Sequence, residues 1–102
     1  MKLLFITCIK EHRSAVAGIL SEAKIPVYSV TETEGVKAWK DDDLSDDWYG
    51  SEAGTVASLI VFSFTTESAA AEALSLINHF NQEKSEGFPI RAFVLKVEQS
   101  NL

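Results

Sequence analysis

The chain has 102 residues, of which 46% are hydrophobic and 24% are charged, and its formal net charge is -6. This length fits one domain, and the balance of apolar and charged residues excludes an intrinsically disordered chain. Affinity for nucleic acid and for anionic membranes depends on clustered Lys and Arg, so the acidic charge argues against both kinds of partner. We therefore expect one small globular domain that spans residues 1–102.

The chain opens with an apolar run over residues 3–9, which predicts a strand that is covered on both faces. The run is similar to the start of a signal peptide, but it is short, charged residues 10–13 follow at once, and no cleavage site comes after it. No stretch approaches the roughly 18 apolar residues of a spanning helix. The single cysteine, Cys8, cannot form an internal disulfide. We expect a cytoplasmic protein that does not insert into a membrane.

Hydrophobic periodicity predicts the other elements, and Pro26 and the turn at 86–89 mark two of their ends. The predictions are a helix over 11–24, a strand over 27–36, a strand over 55–64, a helix capped within 65–68 that ends near Lys84, and a strand over 90–97. The order is β-α-β twice, which predicts an α+β, ferredoxin-like βαββαβ fold with a four-stranded antiparallel sheet and two helices on one face. The first and third strands carry apolar residues on both sides, so the helix-free face predicts oligomerisation.

The segment 37–54 follows no pattern and forms a long insert between the second and third strands. Inserts of this length in compact domains are usually functional or disordered. This one is acidic and aromatic, a combination that indicates either a solvated loop or a loop that contacts a partner, and its carboxylates are also suited to a divalent ion. The residues concerned are Trp39, Asp41, Asp42, Asp43, Asp46, Asp47, Trp48 and Tyr49.

Three side chains could bind a soft metal ion, namely Cys8, His12 and His79, although no two of them have a metal-ligand spacing. The alternative is that Cys8 is a core residue and both histidines are ordinary surface residues. Catalytic motifs are absent from the sequence: there is no nucleophile elbow, no HExxH, no P-loop and no GxGxxG. The sequence therefore favours a binding protein over an enzyme.

Three local features give the chain a family resemblance. Residues 1–4 open directly into a strand, Tyr49-Gly50 lies late in the long insert, and residues 91–98 (RAFVLKVE) resemble a last-strand pattern Lys-Ile-Phe-Val-x-Pro-Val-Glu. With the order and length of the elements, these features resemble the PII-like signalling proteins, which are related to the nitrogen regulatory PII protein.

This resemblance implies a homotrimer whose sheets pack together. It implies a small ligand, commonly an adenine nucleotide, in clefts between subunits. It also implies a long T-loop, here residues 37–54, that docks on a partner such as a membrane transporter or efflux pump. The ligand-binding residues implied by position are Gly35, Lys37, Lys84, Gly87 and Arg91.

Two alternatives remain open on the same scaffold. The first is a protein similar to CutA, active in tolerance or sensing of divalent and heavy metals, with the acidic insert or Cys8, His12 and His79 as ligands. The second is a small ferredoxin-like enzyme of the monooxygenase or muconolactone isomerase type, which would need a closed cavity between sheet and helices.

Overall fold

The computed structural model describes residues 1–38, 54–84 and 87–102. Its elements in chain order are β1 (Lys2–Ile9), a 3-10 turn (Lys10–His12), α1 (Arg13–Glu22), β2 (Ser29–Lys37), β3 (Gly54–Thr65), α2 (Glu67–Lys84) and β4 (Arg91–Lys96). The predicted elements are all present, with ends that differ by one or two residues. The insert at 37–54 lies outside the described residues except for Lys37, which ends β2, residue 38, and Gly54, which begins β3.

The strands form one four-stranded sheet in the order β2-β3-β1-β4, and each neighbouring pair is antiparallel. This order places β1 and β3, the two most apolar strands, at the centre. It is the ferredoxin-like arrangement, so the predicted fold class is confirmed. The right-handed crossovers place both helices on the same face, because a right-twisted strand followed by a helix packs back onto the sheet in only one way.

The core lies between this face and the helices. Side chains alternate along a strand, so Leu4, Ile6 and Cys8 of β1 point to the helices, and all three are buried. In α2, Ala70 and Ala73 are fully buried, because their small side chains let the helix approach the sheet closely. The remaining buried apolar residues are Val16, Leu20, Ala23, Ile25, Leu59, Val61, Ile77 and Ile90.

Helix α2 begins with the predicted cap. The amide of Ala69 donates to Thr66 Oγ1 at 3.2 Å, which satisfies one of the backbone donors that the first helical turn leaves open. The helix spans 18 residues and carries polar side chains along its outer side. None of the described helices is both long enough and apolar enough to cross a membrane.

Neither α1 nor α2 lies on the opposite face of the sheet, which we call the open face. Register places Leu3 opposite Phe64 and Leu95, and Phe5 opposite Phe62 and Phe93. Phe64 remains 56% exposed, Leu95 46% and Phe93 41%. The rings of Phe62 and Phe64 meet edge to face, with centroids 6.3 Å apart. The open face is therefore an apolar surface that the chain's own helices leave uncovered, as the sequence predicts.

Two buried hydroxyls in the sheet allow the contribution of a hydrogen bond to the free energy of unfolding to be measured. Thr7 Oγ1 is buried and has no hydrogen-bond partner among the described residues, whereas Ser63 Oγ donates to the carbonyl of Val27 at 2.6 Å. Leaving a buried hydroxyl unpaired costs about 1–3 kcal/mol. We expect Thr7→Val to raise the free energy of unfolding by about 1 kcal/mol and Ser63→Ala to lower it by a similar amount.

Denaturant unfolding of both variants at one protein concentration measures these changes. The two residues are equally buried, each 4% exposed, so Ser63→Ala is the matched control for Thr7→Val. A loss of stability in Thr7→Val as large as that in Ser63→Ala would show that Thr7 Oγ1 is hydrogen-bonded in solution.

Candidate functional site

Two of the five predicted ligand-binding residues lie on a two-stranded ribbon. β1 ends at Ile9, opposite Ser58, while β2 and β3 continue pairing beyond it. The last pairs of this ribbon are Gly35 with Val56 and Lys37 with Gly54. The side chain of Lys37 is buried, at 3% exposure, although it lies at the end of a ribbon that projects from the sheet. The ribbon is the base from which residues 39–53 continue.

The other three predicted residues lie around the connection between α2 and β4. Lys84 is the last residue of α2, and Arg91 is the first residue of β4. Between them Gly87 has a φ of 88°, in the left-handed region that favours glycine. Arg91 is half-buried and pairs with Thr7 of β1, so its side chain lies on the open face.

The register keeps these two groups apart within one subunit. Arg91 belongs to the row of paired residues that crosses the sheet through Thr7 and ends at Thr31 of β2. Lys37 is six residues beyond Thr31 along β2, which at a strand rise of ~3.3 Å per residue is about 20 Å. A single subunit therefore does not bring the five predicted residues into one site.

The 3-10 turn between β1 and α1 contacts both β2, which carries the ribbon, and the chain that precedes β4. Lys10 Nζ forms an exposed ion pair with Glu32 of β2 at 3.2 Å, three residues before Gly35. His12 Nε2 is 3.0 Å from the carbonyl oxygen of Phe88, one residue after Gly87. A carbonyl oxygen only accepts, so Nε2 carries the hydrogen and donates. Both contacts are exposed, and the ion pair contributes little to stability, while the His12 bond ties the 3-10 turn to the chain that precedes β4.

Asn81 adds a second link that sequence reasoning missed. Its side-chain amide donates to the carbonyl of Ile90 at 2.8 Å, and its side-chain oxygen accepts from the amide of Ile90 at 2.8 Å. Asn81 stands one helical turn before Lys84, on the last part of α2. An asparagine just ahead of a turn was the only signal in the sequence, and it did not indicate which backbone groups the side chain binds.

The predicted soft-metal residues lie apart. Cys8 is in the core, His12 bonds the Phe88 carbonyl, and His79 is on the exposed side of α2, 3.8 Å from Glu83. Among the described residues, no three His, Cys, Asp or Glu side chains are grouped so that they could hold a metal ion. The predicted partner-contact residues, Trp39 to Tyr49, lie outside the described part of the chain.

The buried thiol gives a testable titration. Desolvation by burial raises the pKa of Cys8 from 9.0 to about 11, because the apolar core disfavours the thiolate. The folded state therefore holds this proton more tightly than the unfolded state. The resulting stabilisation is fully present below pH 9 and is lost as the pH rises towards about 11.

The thiolate absorbance of the folded protein should titrate near pH 11, and denaturant unfolding should show the free energy of unfolding falling between pH 9 and about 11. A Cys8→Ala variant lacks the titrating group, so its stability should fall less steeply over the same range. A thiolate that appears near pH 9 in the folded protein would contradict the burial of Cys8.

Comparison with known proteins was made at three levels. No protein-family model matches the chain, and no curated protein matches it in sequence. Solved structures do match it. CPII, a nitrogen regulatory PII-like protein from Thiomonas intermedia K12 bound to ADP, AMP and bicarbonate, aligns at 15% identity with a TM-score of 0.59, over 97% of this chain and 93% of CPII.

Two further structures give the same result. CPII bound to ADP, AMP and acetate aligns at 14% identity with a TM-score of 0.67, over 98% of this chain and 88% of that one. A protein of Thermus thermophilus described as a PII-like signalling protein aligns at 15% identity with a TM-score of 0.57, over 94% of this chain and 85% of that one. The resemblance to PII-like proteins is thereby confirmed for the fold: the chain has, over nearly its whole length, the fold of these proteins.

Proposed function

We propose that the chain is a PII-like regulatory protein rather than an enzyme. In this proposal it assembles as a homotrimer, binds an adenine nucleotide in clefts between subunits, and signals to a partner through the loop at residues 39–53. The observation that carries the proposal is the apolar open face, which lies on a fold shared with nucleotide-bound PII-like proteins.

The open face supports assembly because burying it is strongly favourable. Phe64, Phe93 and Leu95 are each 41–56% exposed. They lie on one face of the sheet, Phe64 on β3 and the other two on β4, with β1 between them. Leu3, Phe5 and residues 92–95 line an open apolar depression of about 770 Å³ at this side of β4. Soluble monomers rarely expose an apolar patch of this kind, and apolar burial stabilises an interface by ~25 cal/mol per Å².

The division of the predicted ligand residues into two groups supports a site between subunits. Gly35 and Lys37 lie on the ribbon, Gly87 and Arg91 lie at the start of β4, and Lys37 is about 20 Å from the row of Arg91 along the strand direction. In a trimer, the projecting ribbon of one subunit can reach the connection between α2 and β4 of the next. The site is then complete only in the assembly.

The chemistry of the two groups favours an anionic ligand. Arg91 on β4 contributes a guanidinium, which binds phosphate and carboxylate oxygens in pairs, whereas the cation of the ribbon, Lys37, is buried within the chain. CPII is bound to ADP and AMP together with bicarbonate in one structure and acetate in another. We therefore propose an adenine nucleotide, joined by a small carboxylate or bicarbonate, as the ligand of this protein.

The proposed partner is a membrane transporter or efflux pump, which the acidic and aromatic loop would contact outside the membrane. The loop continues from both strands of the ribbon, so a ligand that orders the ribbon can change what the loop presents. No second function is proposed: the described residues hold no group of metal ligands, and the acidic residues 41–47 lie outside the described part of the chain.

The oligomeric state tests the proposed homotrimer. We expect the wild-type protein to have a mass near three times 11.2 kDa by sedimentation or light scattering. Phe93→Glu places a charge in the proposed interface and should shift the protein towards the single chain, because an unpaired charge is costly to bury. Leu102→Glu, at a residue that is 93% exposed in the tail, is the matched control and should stay trimeric. A wild-type mass of one chain would overturn the trimer.

Nucleotide binding tests the proposed adenine nucleotide ligand. Calorimetry with ADP and AMP, each with and without bicarbonate, should detect binding to the wild-type protein. Arg91→Met keeps the apolar stem and removes the guanidinium, so we expect ADP affinity to fall about tenfold or more, the loss of one charge-assisted hydrogen bond.

The control for this experiment is Lys96→Met, which removes a cation from the other end of the same strand. It should leave ADP affinity within about twofold of the wild-type value, since surface charges at that distance are screened. Equal losses in both variants would indicate only a general electrostatic effect. Absence of any nucleotide binding would refute the nucleotide part of the proposal.

A further inference from the structure

We propose that His12 is a positioning residue for the ligand site: with Asn81 it clamps the chain between Gly87 and Arg91 in the geometry that the ligand requires. This inference rests on the proposed function, because it concerns the α2–β4 side of the proposed cleft. His12 itself need not touch the ligand.

The clamp acts where the sheet no longer holds the chain. The pairing of β4 with β1 begins at Arg91, opposite Thr7. The four residues before it, 87–90, follow the connection from α2 and precede this ladder. Side chains from other elements take over the role of the ladder there: Asn81 pairs the part-buried backbone of Ile90, which needs partners, and His12 bonds the carbonyl of the exposed Phe88.

Three hydrogen bonds fix this segment. The His12 Nε2–H donates to the Phe88 carbonyl at 3.0 Å, and the side chain of Asn81 makes a donating and an accepting bond, each 2.8 Å, with the backbone of Ile90. The Ile90 side chain is 1% exposed and anchors the same segment in the core. Every second residue is thus held, and Gly87 and Arg91 lie immediately on either side.

The His12 ring is itself held in place. It meets the ring of Phe80 edge to face, with centroids 5.1 Å apart and planes at 81°. Phe80 precedes Asn81 on α2, so the two halves of the clamp are attached to one helix end. The clamp therefore ties the 3-10 turn, the end of α2 and the start of β4 into one unit, and a site built on rigid elements loses less freedom on binding.

Variants at position 12 separate the hydrogen bond from the packing. His12→Phe keeps a ring that can pair with Phe80 but cannot donate to Phe88. His12→Gln restores a side-chain N–H that can reach the carbonyl. His79→Phe makes the same substitution at an exposed histidine of α2 that lies 3.8 Å from Glu83 and serves as the matched control.

The first measurement needs no ligand. Amide hydrogen exchange at Gly87, Phe88, Ile90 and Arg91 should be faster in His12→Phe, near the wild-type rate in His12→Gln, and unchanged in His79→Phe. The amide of Ile90 is the most informative one, because it donates to Asn81. Unchanged exchange in His12→Phe would overturn the clamp.

The second measurement is ADP affinity by calorimetry. Loss of one hydrogen bond that positions the site should weaken ADP binding about threefold to tenfold in His12→Phe, and His12→Gln should recover most of it. Faster exchange with unchanged ADP affinity would show that His12 serves the fold alone and would overturn this inference while leaving the proposed function intact. A wild-type protein that binds no ADP would overturn both.

Discussion

The structure depends on the central strand β1, which is apolar on both faces and paired on both edges. Its neighbours are β3 and β4, so its backbone is paired on both edges from Lys2 to Thr7. One face of β1 is buried by helices, with Leu4 and Ile6 at 0–1% exposure. The other face carries Leu3 and Phe5, and neither α1 nor α2 packs on it, because both right-handed crossovers lie on the same side. On this face Phe64, Phe93 and Leu95 stay 41–56% exposed, whereas Thr7 and Ser58 are buried.

The same sheet explains why the candidate site is divided. Antiparallel register is set by the alternation of buried and open positions, and a slip of one residue would exchange the two faces of a strand. The register that buries Leu59 and Val61 of β3 also extends β2 and β3 beyond the end of β1. It thereby carries Lys37 away from Arg91. The separation of these two residues within one chain is the reason that the proposed ligand site lies between subunits.

Hydrogen bonds from side chains become important where the sheet ladder ends. The sheet positions Arg91 by its pairing with Thr7, whereas the residues before it depend on His12 and Asn81. The adjustable part of the candidate site, residues 87–90, is therefore positioned by a few polar contacts rather than by the core. Such contacts contribute about 1 kcal/mol each, so a single substitution can alter them without unfolding the domain.

Local patterns in the sequence were sufficient to predict every described helix and strand within two residues, the Thr66 cap and the apolar open face. These features depend on periods of two or 3.6 residues and on neighbours within one turn. The sequence also indicated the candidate cations, but not that register separates Lys37 from Arg91. His12 was predicted as a possible metal ligand, yet it bonds a backbone carbonyl 76 residues away. Only tertiary structure decides such contacts, because a backbone carbonyl is the same group at every position and its partner depends on how distant segments pack.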